Sequence, residues 1–458
     1  MKLIVIGGGL AGCEAAWQSA ERGVQVELFE MRPDQTTGAH RTANLAELVC
    51  SNSLGSNLPN RASGLLKAEL RRLGSVLIDC ADASSLPAGN ALAVDRDLFS
   101  ACVEQKLTSH PRISIIRREY QSIPQTPAIL ATGPLTSPSL SQSLRSFTGE
   151  DHLFFYDAIA PVVDYESINM NIAFRSNRYG FDSQESGDYI NCPFDEESYF
   201  KFWEALKDAK RIPMRDFEKG MDLGVNAGGG QYFQGCQPVE VIAQRGEKAL
   251  AFGPMRPVGL VDPRTGKRPF AVVQLRQDNL VGNLYNLVGF QTNLTFSEQA
   301  RVFRYIPGLE NATFERFGQM HRNAFIAAPK LLDASLAFIQ QPGLFVAGQL
   351  AGVEGYAGNI ASGLVAGINA AHYLLGYRPI KLPLTTMTGA LINYVTHADL
   401  KDFQPMKAIF GLLPKPGDDK RRSKRERYDY YAERALLDLE GYLLTIFGDD
   451  LLKKYSAD

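Results

Sequence analysis

The sequence predicts an α/β protein: a Rossmann-like domain with a parallel sheet, an inserted domain of mixed α and β structure, and a helical C-terminal tail. Three observations lead to this fold class. A strand, a glycine turn, a helix and a second strand open the chain. A second glycine-rich segment precedes a helix near the other end, and short strands, aromatic residues and turns fill the region between. Because 458 residues are too many for one compact core, we expect several domains. Their predicted bounds are 1–150 and 326–400 for the Rossmann-like domain, 151–325 for the insertion and 401–458 for the tail.

The N-terminal segment has the pattern of a dinucleotide-binding motif. The apolar run Leu3–Ile6 predicts a short buried strand, and Gly7, Gly9 and Gly12 follow it in GxGxxG spacing. The first glycine permits a tight turn, the second lets a diphosphate approach the backbone, and the third lets the next helix pack closely on the strand. We therefore expect a diphosphate to lie at the N-terminus of that helix.

The segments after this turn complete a βαβ unit. A helix is predicted over 10–21 and a strand over 25–29, and Glu30 stands where this strand ends. Its distance along the chain from the last glycine is near the roughly 20 residues at which an acidic side chain meets a ribose hydroxyl. The alternative is an ordinary βαβ unit with a solvent-facing Glu30, and the complete context favours dinucleotide binding.

The rest of the first domain alternates between helix and strand. Periodicity and turn residues predict helix 65–73, strand 91–96, helix 97–107, strand 113–116 and strand 127–133, which closes on a small-residue turn at Gly133. The segment 31–60 has little periodicity and is predicted to be a long loop, and one clear helix is expected in the insertion, near 196–209.

Composition and charge exclude several classes of protein. Hydrophobic residues make up 45% and charged residues 21% of the chain, as in ordinary globular proteins. The net charge of −2 means that nucleic-acid binding would need a local basic patch. No uncharged apolar stretch reaches the roughly 20 residues of a transmembrane helix. The N-terminus runs into the glycine turn without a signal-peptide pattern, so we expect a cytoplasmic protein without membrane association.

The six cysteines form no CxxC pair and have no zinc-like spacing with histidine, so no metal site is predicted. In a reducing compartment most should be small buried hydrophobic residues, and Cys13 and Cys102, in predicted helices, fit this role well. Two others differ. Cys50 lies in the polar loop segment LVCSNSLGSN, and Cys236 follows a glycine in GGGQYFQGCQPVEV. A cysteine at such a turn is a weaker candidate for core filling than one in a helix.

A second glycine-rich segment, FVAGQLAGVEGYAGNIASGLVAGIN, restores the Rossmann-like pattern. The sequence predicts a strand at 344–347, a loop over 348–359 and a helix over 360–375. A glycine-rich loop that opens a helix offers further backbone N–H donors to a diphosphate or a flavin pyrimidine. Because NAD alone needs only one such loop, the two together favour FAD. The alternative is close helix packing that requires small residues.

The tail is predicted to form an amphipathic helix over 418–447, capped by Asp418 or Asp419. Cations at a helix N-terminus oppose the macrodipole by a few tenths of a kcal/mol each. Basic residues at the start of this helix therefore have two possible explanations, which are contact with RNA phosphates and an ordinary solvated face. The predicted apolar face contains Tyr428, Tyr431, Ala432, Ala435, Leu436, Leu439, Tyr442 and Leu443, and the basic run contains Lys420, Arg421, Arg422, Lys424 and Arg425.

Over essentially its whole length the chain resembles the folate- and FAD-dependent tRNA uracil-5-methyltransferases. The most specific shared motifs are CSNSL, GFQTNLTFSEQ and EGYAGNIASG, and FEMRP, LAVDRDLFS, QGCQPVEV, MHRNAFI and THADLKDFQPM also match. The resemblance implies a glutathione-reductase-like FAD domain. The chain also resembles the larger tRNA wobble-uridine modification flavoprotein, but it is shorter than that family.

The resemblance implies methylation of a T-loop uridine of tRNA to 5-methyluridine. Methylenetetrahydrofolate would donate the carbon, FAD would carry it and supply hydride, and NADPH or NADH would reduce the flavin. The partners would be the tRNA T-arm and these small molecules, with no obligate protein partner. The alternatives are an FAD-dependent oxidoreductase acting on a small molecule and a wobble-uridine tRNA-modifying flavoprotein.

Such a reaction needs a reactive cysteine, because uracil C5 becomes nucleophilic only after a thiolate adds at C6. The resemblance assigns the functional cysteines to Cys50 and Cys236. We expect Cys236 to be the C6 nucleophile and Cys50 the thiol beside the flavin, although the roles could be exchanged. For His397 a structural hydrogen bond is favoured over a role as general acid. The predicted cofactor-binding residues are Gly7, Gly8, Gly9, Leu10, Ala11, Gly12, Glu30, Arg32, Gly133, Gly348, Gln349, Tyr356, Asn359, Ile360 and Ala361, and the basic run would bind tRNA.

Overall fold

The computed structural model describes residues 1–37, 39–125, 127–149, 153–158, 160–178, 187–212, 237–318, 320–401, 403–415 and 423–447. Its strands are β1 (Lys2–Ile6), β2 (Gln25–Glu30), β3 (Ser53–Ser56), β4 (Ser85–Leu86), β5 (Ala91–Val94), β6 (Ile113–Arg117), β7 (Ala128–Leu130), β8 (Leu153–Ala158), β9 (Val162–Asp164), β10 (Phe174–Arg175), β11 (Tyr189–Phe194), β12 (Ala271–Gln277), β13 (Leu284–Leu287), β14 (Phe314–Arg316), β15 (Met320–Phe325), β16 (Ala337–Phe338) and β17 (Gln341–Val346).

Its α-helices are α1 (Leu10–Glu21), α2 (Ala62–Arg72), α3 (Val76–Ala83), α4 (Arg96–Ser109), α5 (Pro138–Thr148), α6 (Glu196–Lys207), α7 (Val239–Ala243), α8 (Ala249–Phe252), α9 (Phe296–Phe303), α10 (Ala328–Leu331), α11 (Tyr356–Leu375), α12 (Met387–His397) and α13 (Lys424–Phe447). Short 3₁₀ turns lie at Gly133–Leu135, Tyr165–Ser167, Gly348–Ala351 and Phe410–Leu412. None of the described helices is both long and apolar enough to span a membrane.

The main sheet combines strands from both ends of the chain in the order β16-β17-β7-β1-β2-β6. Neighbouring strands from β17 to β6 are parallel, which requires crossover connections, and α1 provides the one between β1 and β2. The predicted α/β class with a parallel sheet is therefore confirmed. The structure adds β16, an antiparallel edge strand that the sequence analysis did not predict.

Most predicted elements match within a few residues, and two differ for local reasons. The segment predicted to be a long loop contains β3, which is short and pairs irregularly with β5, so it has little period-two pattern to detect. Helix α11 begins at Tyr356 rather than at residue 360. Gly355, with a φ of 81°, precedes the helix. Gly358, in its first turn, is tolerated inside the helix because tertiary packing outweighs helix propensity.

Small residues in α11 let this helix pack directly on α1. A Cβ atom on Gly363 would lie 2.2 Å from the carbonyl oxygen of Ala11, and one on Gly367 would lie 2.6 Å from that of Ala15. Ser19 Oγ also donates a hydrogen bond to the carbonyl oxygen of Gly367, at 2.9 Å. The glycines inside this helix thus serve close packing, which was the alternative explanation for the segment.

A second lobe has its own sheet, in the order β10-β11-β12-β13-β9-β14, with antiparallel neighbours. Its hydrophobic core draws on residues between 163 and 312, whereas the larger core draws on residues up to 144 and from 325 onward. Strands β8 and β15, where the chain passes between these regions, pair with each other. These two cores support the domain boundaries that we propose at residues 151 and 325.

The C-terminal helix α13 packs on the first lobe. Its residues Tyr431, Ala432, Ala435 and Leu439 are buried in the larger core, as the predicted apolar face requires. Ser423 caps it: Ser423 Oγ accepts a hydrogen bond from Glu426 N at 3.3 Å, and the Glu426 carboxylate accepts one from Ser423 N at 2.7 Å. The residues predicted to cap it, Asp418 and Asp419, lie outside the described part of the chain.

Candidate functional site

A cleft opens at the carboxyl ends of the parallel strands, where α/β proteins bind nucleotides. It has a volume of about 1040 Å³, part of it open to solvent. Twelve of the predicted cofactor-binding residues line it: Gly7, Gly8, Gly9, Leu10, Ala11, Glu30, Arg32, Gly133, Gly348, Gln349, Tyr356 and Asn359.

The glycine turn after β1 fits a diphosphate. A Cβ atom on Gly12 would lie 1.8 Å from the carbonyl oxygen of Gly7, so this glycine allows α1 to pack against the turn. A Cβ atom on Gly9 would meet nothing within 4 Å, which leaves open space on the side of the cleft. Helix α1 starts after Gly9 without a side-chain cap, and its first turn therefore offers backbone N–H groups to an anion.

Glu30 and Arg32 form a buried ion pair beside this turn. The Arg32 guanidinium donates hydrogen bonds to both Glu30 carboxylate oxygens, at 2.8 and 3.1 Å, and Gly8 N donates another at 2.9 Å. Burial alone would raise the pKa of the Glu30 carboxyl, but the hydrogen bonds and charge of Arg32 hold it below its usual value. Glu30 is therefore an anionic acceptor in the cleft, and its contact with a ribose remains a prediction.

Three predicted cofactor residues do not line the cleft. Gly12 lies behind the turn in contact with Gly7, and the side chains of Ile360 and Ala361 are fully buried in the larger core. Because α11 begins at Tyr356, residues 360 and 361 belong to its second turn, where backbone N–H groups are used inside the helix. Contact of Ile360 and Ala361 with the cofactor therefore stays a prediction, which the lining of the cleft does not support.

Tyr356 joins the second glycine segment to the loop that carries Cys50. Its phenol oxygen accepts hydrogen bonds from Cys50 N at 2.8 Å and from Ser51 N at 3.0 Å. Burial, reinforced by the neighbouring Cys50, raises the pKa of this phenol, which keeps it protonated. Val49 lines the cleft and Cys50, which follows it, is partly exposed, so the backbone of Cys50 is held next to the cleft.

The other side of the Cys50 loop is held by buried polar groups that the sequence analysis did not identify. Asn52, fully buried, donates to the carbonyl oxygens of Val94 at 3.2 Å and Gln277 at 2.8 Å, and accepts a bond from Arg276 Nε at 2.9 Å. Arg96 donates to the carbonyl oxygen of Leu48 at 2.8 Å. The loop is thus fixed by both lobes.

The remaining candidates divide between described and undescribed residues. Cys236 lies outside the described part of the chain, as do Lys420, Arg421 and Arg422. Lys424 and Arg425 are exposed in the first turn of α13, where their contact with tRNA remains a prediction. His397 is exposed at the end of α12, and its Nδ1 lies 2.8 Å from Thr396 Oγ1 and 3.2 Å from the carbonyl oxygen of Asn393. These local bonds agree with the structural role favoured from the sequence.

The described cysteines other than Cys50 lie mainly in the cores, as expected. Cys13 and Cys192 are fully buried, and burial raises the pKa of each thiol. Cys80 is also buried. Cys102 is partly exposed and packs against the larger core, with its sulfur next to that of Cys80.

Other cleft residues were missed although they follow a recognisable signal. The residues Arg118, Glu119 and Tyr120 come directly after the predicted strand β6, and the carboxyl ends of parallel strands meet at one edge of a sheet. His40 and Glu47, by contrast, reach the cleft from the long polar loop, where no periodicity marks them.

Comparison with known proteins defines first the class of protein. Residues 2–378 match the family described as glucose inhibited division protein A, and the chain belongs to this family. It is similar in fold to the solved structure of Aquifex aeolicus GidA in two crystal forms. The TM-scores are 0.68 and 0.67 at 18% and 19% identity, and the match covers 99% of this chain and 75% and 78% of the GidA chains.

Among proteins of similar length, the chain is similar to those named methylenetetrahydrofolate–tRNA-(uracil-5-)-methyltransferase TrmFO. The protein from Heliobacterium modesticaldum is 52% identical over 97% of this chain and 98% of its own length. Those from Anoxybacillus flavithermus and Desulforudis audaxviator are 53% and 54% identical, over 97% and 96% of this chain and 99% and 98% of their own lengths.

Proposed function

We propose that this chain is a methylenetetrahydrofolate-dependent tRNA methyltransferase that forms 5-methyluridine in the T-loop. The name of relatives more than 50% identical over nearly the whole chain supports this function over the two alternatives. One observation of this chain carries the proposal: Tyr356, at the start of α11, holds the backbone of Cys50 beside a glycine-lined nucleotide cleft. A thiol in that position suits chemistry on a pyrimidine ring.

The cofactor in this proposal is FAD, with NADPH or NADH as reductant. Two features of the cleft support it: open space above Gly9 and Gly133, where a Cβ atom would meet nothing within 4 Å, and a lining that draws on both glycine-rich segments. The flavin would supply hydride, and methylenetetrahydrofolate would supply the one-carbon unit. Gly9, Leu10 and Ala11 would bind the diphosphate, and Glu30 would accept a hydrogen bond from the ribose.

The two cysteines divide the pyrimidine chemistry in this proposal. The Cys236 thiolate adds to uracil C6, and the resulting enolate makes C5 nucleophilic. The new bond would form between C5 and the one-carbon unit, the C5 proton would leave to a base, and the bond from that carbon to its nitrogen carrier would break. Hydride would then reduce the methylene left on C5, and the sulfur–C6 bond would break as the C5–C6 double bond re-forms. Cys50, whose backbone is held beside the cleft by Tyr356, would take that proton.

The tRNA approaches along the surface that contains α13. The basic run at its start, with Lys424 and Arg425 exposed, would contact phosphates of the T-arm. Cytoplasmic location and the absence of an obligate protein partner belong to the same proposal, because substrate and cofactors suffice for the reaction.

The test is direct. Purified protein with bound FAD is incubated with an unmodified tRNA transcript, methylenetetrahydrofolate and NADPH, and nucleosides are measured by mass spectrometry. We expect 5-methyluridine at the T-loop position, and no product from Cys50→Ala or Cys236→Ala. Cys102→Ala is the matched control, because Cys102 is a partly exposed thiol away from the cleft.

The same assay separates the alternatives. A wobble-uridine enzyme would modify the anticodon, and a small-molecule oxidoreductase would leave the transcript unchanged. The roles of the cysteines are tested with fluorouracil-containing RNA. If Cys236→Ala still forms a covalent complex with this RNA, the roles assigned to Cys50 and Cys236 are exchanged.

A further inference from the structure

Three arginines meet beside the Cys50 loop, and they come from three remote parts of the chain. Arg96 begins α4, Arg276 lies on β12, and Arg316 ends β14. Arg96 and Arg276 contact the loop directly, through Leu48 and Asn52. Arg316 lies in register with Asn286 across β9, because Val162 pairs with both residues. The group thus lies next to the Cys50 loop without belonging to the nucleotide turn.

Within the described structure, negative charge does not balance this group. Among the described residues, Asp278 is the acid that pairs with it, through a 3.0 Å bond from Arg96. Burial and the charge of Arg96 lower the pKa of Arg316 to about 10, which leaves the guanidinium protonated at neutral pH. Three cations therefore face one carboxylate in a mostly desolvated place, where unpaired charge is costly.

Several N–H groups in the same cluster have no acceptor within the described structure. These are Arg96 Nε, both Nε and Nη2 of Arg316, and Asn286 Nδ2. Asn286 belongs to the cluster because its Oδ1 lies 3.5 Å from Arg276 Nη2. All of them are donors, so the partner they lack is an acceptor. Nε and Nη2 form one edge of the guanidinium, the edge that binds two oxygens of a carboxylate or a phosphate.

We propose that Arg316, Arg96 and Asn286 form a binding site for an oxoanion carried by a substrate into the space beside Cys50. The inference rests on the proposed function, which supplies two sources of the same chemistry: a phosphodiester next to the target uridine and a carboxylate of the folate glutamate. Its role is to position that substrate. The bidentate edge of Arg316 fixes orientation as well as distance, and a lysine cannot reproduce it.

The test compares three variants as holoenzymes: Arg316→Gln, Arg316→Lys and, as the matched control, Arg301→Gln. Arg301 is a second-lobe arginine already paired with Glu298 at 2.6 Å. Dissociation constants are measured for an unmodified tRNA transcript at several salt concentrations, for tetrahydrofolate, and for 6-methyltetrahydropterin, which carries no carboxylate. Thermal unfolding and the FAD content of each variant are measured in parallel.

We expect Arg316→Gln to weaken the binding of one substrate by roughly tenfold or more. Arg316→Lys should weaken it by less, and Arg301→Gln should change it little. If the anion is a phosphodiester, tRNA is affected and the slope of log affinity against log salt falls by about one. If it is the carboxylate, binding of tetrahydrofolate is weakened and binding of 6-methyltetrahydropterin is not. Both results support the site.

The proposal is overturned if neither substrate is weakened, or if the variant loses bound FAD, since the anion would then be the cofactor's own phosphate. Arg316→Lys keeps the charge and serves if Arg316→Gln does not fold. A structural role alone would lower the melting temperature and leave both dissociation constants unchanged, which also overturns it. Failure of the proposed function is seen separately, as substrate binding by the unaltered protein without 5-methyluridine formation.

Discussion

Asn52→Ala should destabilise the protein strongly, because this one side chain joins three segments of the chain. It is fully buried and makes three hydrogen bonds, to Val94, Gln277 and Arg276. A typical bond contributes about 1 kcal/mol and one to a charged group about 2 kcal/mol, and alanine leaves the partners without a replacement. The expected loss in free energy of unfolding is therefore about 4 kcal/mol.

The measurement is urea-induced unfolding followed by far-UV circular dichroism. The matched control is Asn57→Ala, because Asn57 is exposed and accepts one bond, from Arg71, so its loss should cost within about 0.5 kcal/mol. A loss below about 1 kcal/mol for Asn52→Ala would refute the reasoning that this residue ties the Cys50 loop to both lobes. Intact stability with lost methylation would point to a local role.

Three further predictions concern the cleft and the buried carboxyls. Gly9→Ala should fold normally but retain less FAD, since its Cβ enters open space in the cleft, whereas Gly12→Ala should lower the melting temperature because its Cβ would meet the carbonyl oxygen of Gly7 at 1.8 Å. Flavin absorbance per chain and thermal unfolding measure the two effects. Equal behaviour of the two variants would contradict the assignment of Gly9 to cofactor binding and Gly12 to packing. Tyr356→Phe should speed alkylation of Cys50, mapped by mass spectrometry, because two backbone N–H groups lose their acceptor. Burial raises the pKa of Glu69 from 4.5 to about 7, so the stabilisation from the protonated carboxyl is complete below pH 4.5 and is lost as pH rises through 7. Urea unfolding should show that the free energy of unfolding decreases by about 3 kcal/mol over this pH range, and by less in Glu69→Gln. A flat pH profile in the unaltered protein would exclude this contribution of Glu69.

The sequence by itself determined the elements that depend on local pattern. The GxGxxG turn, helix 10–21 and the parallel strand that follows are encoded in adjacent residues, because glycine spacing and apolar periodicity act over one or two turns of chain. The apolar face of α13 was predictable for the same reason. The long polar loop was recognised, and its motif CSNSL carried the family resemblance, but neither explained why Asn52 stands there.

The tertiary structure alone decided how the Cys50 loop is held. Tyr356 lies 306 positions from Cys50 in the chain, and Arg276 lies 224 from Asn52. No periodic pattern connects such residues, because their contact depends on how two lobes and two sheets pack. The same packing buried Ile360 and Ala361, predicted to meet a cofactor, and brought together Arg96, Arg276 and Arg316. Local propensity fixes which elements form, and packing fixes which distant side chains share a site.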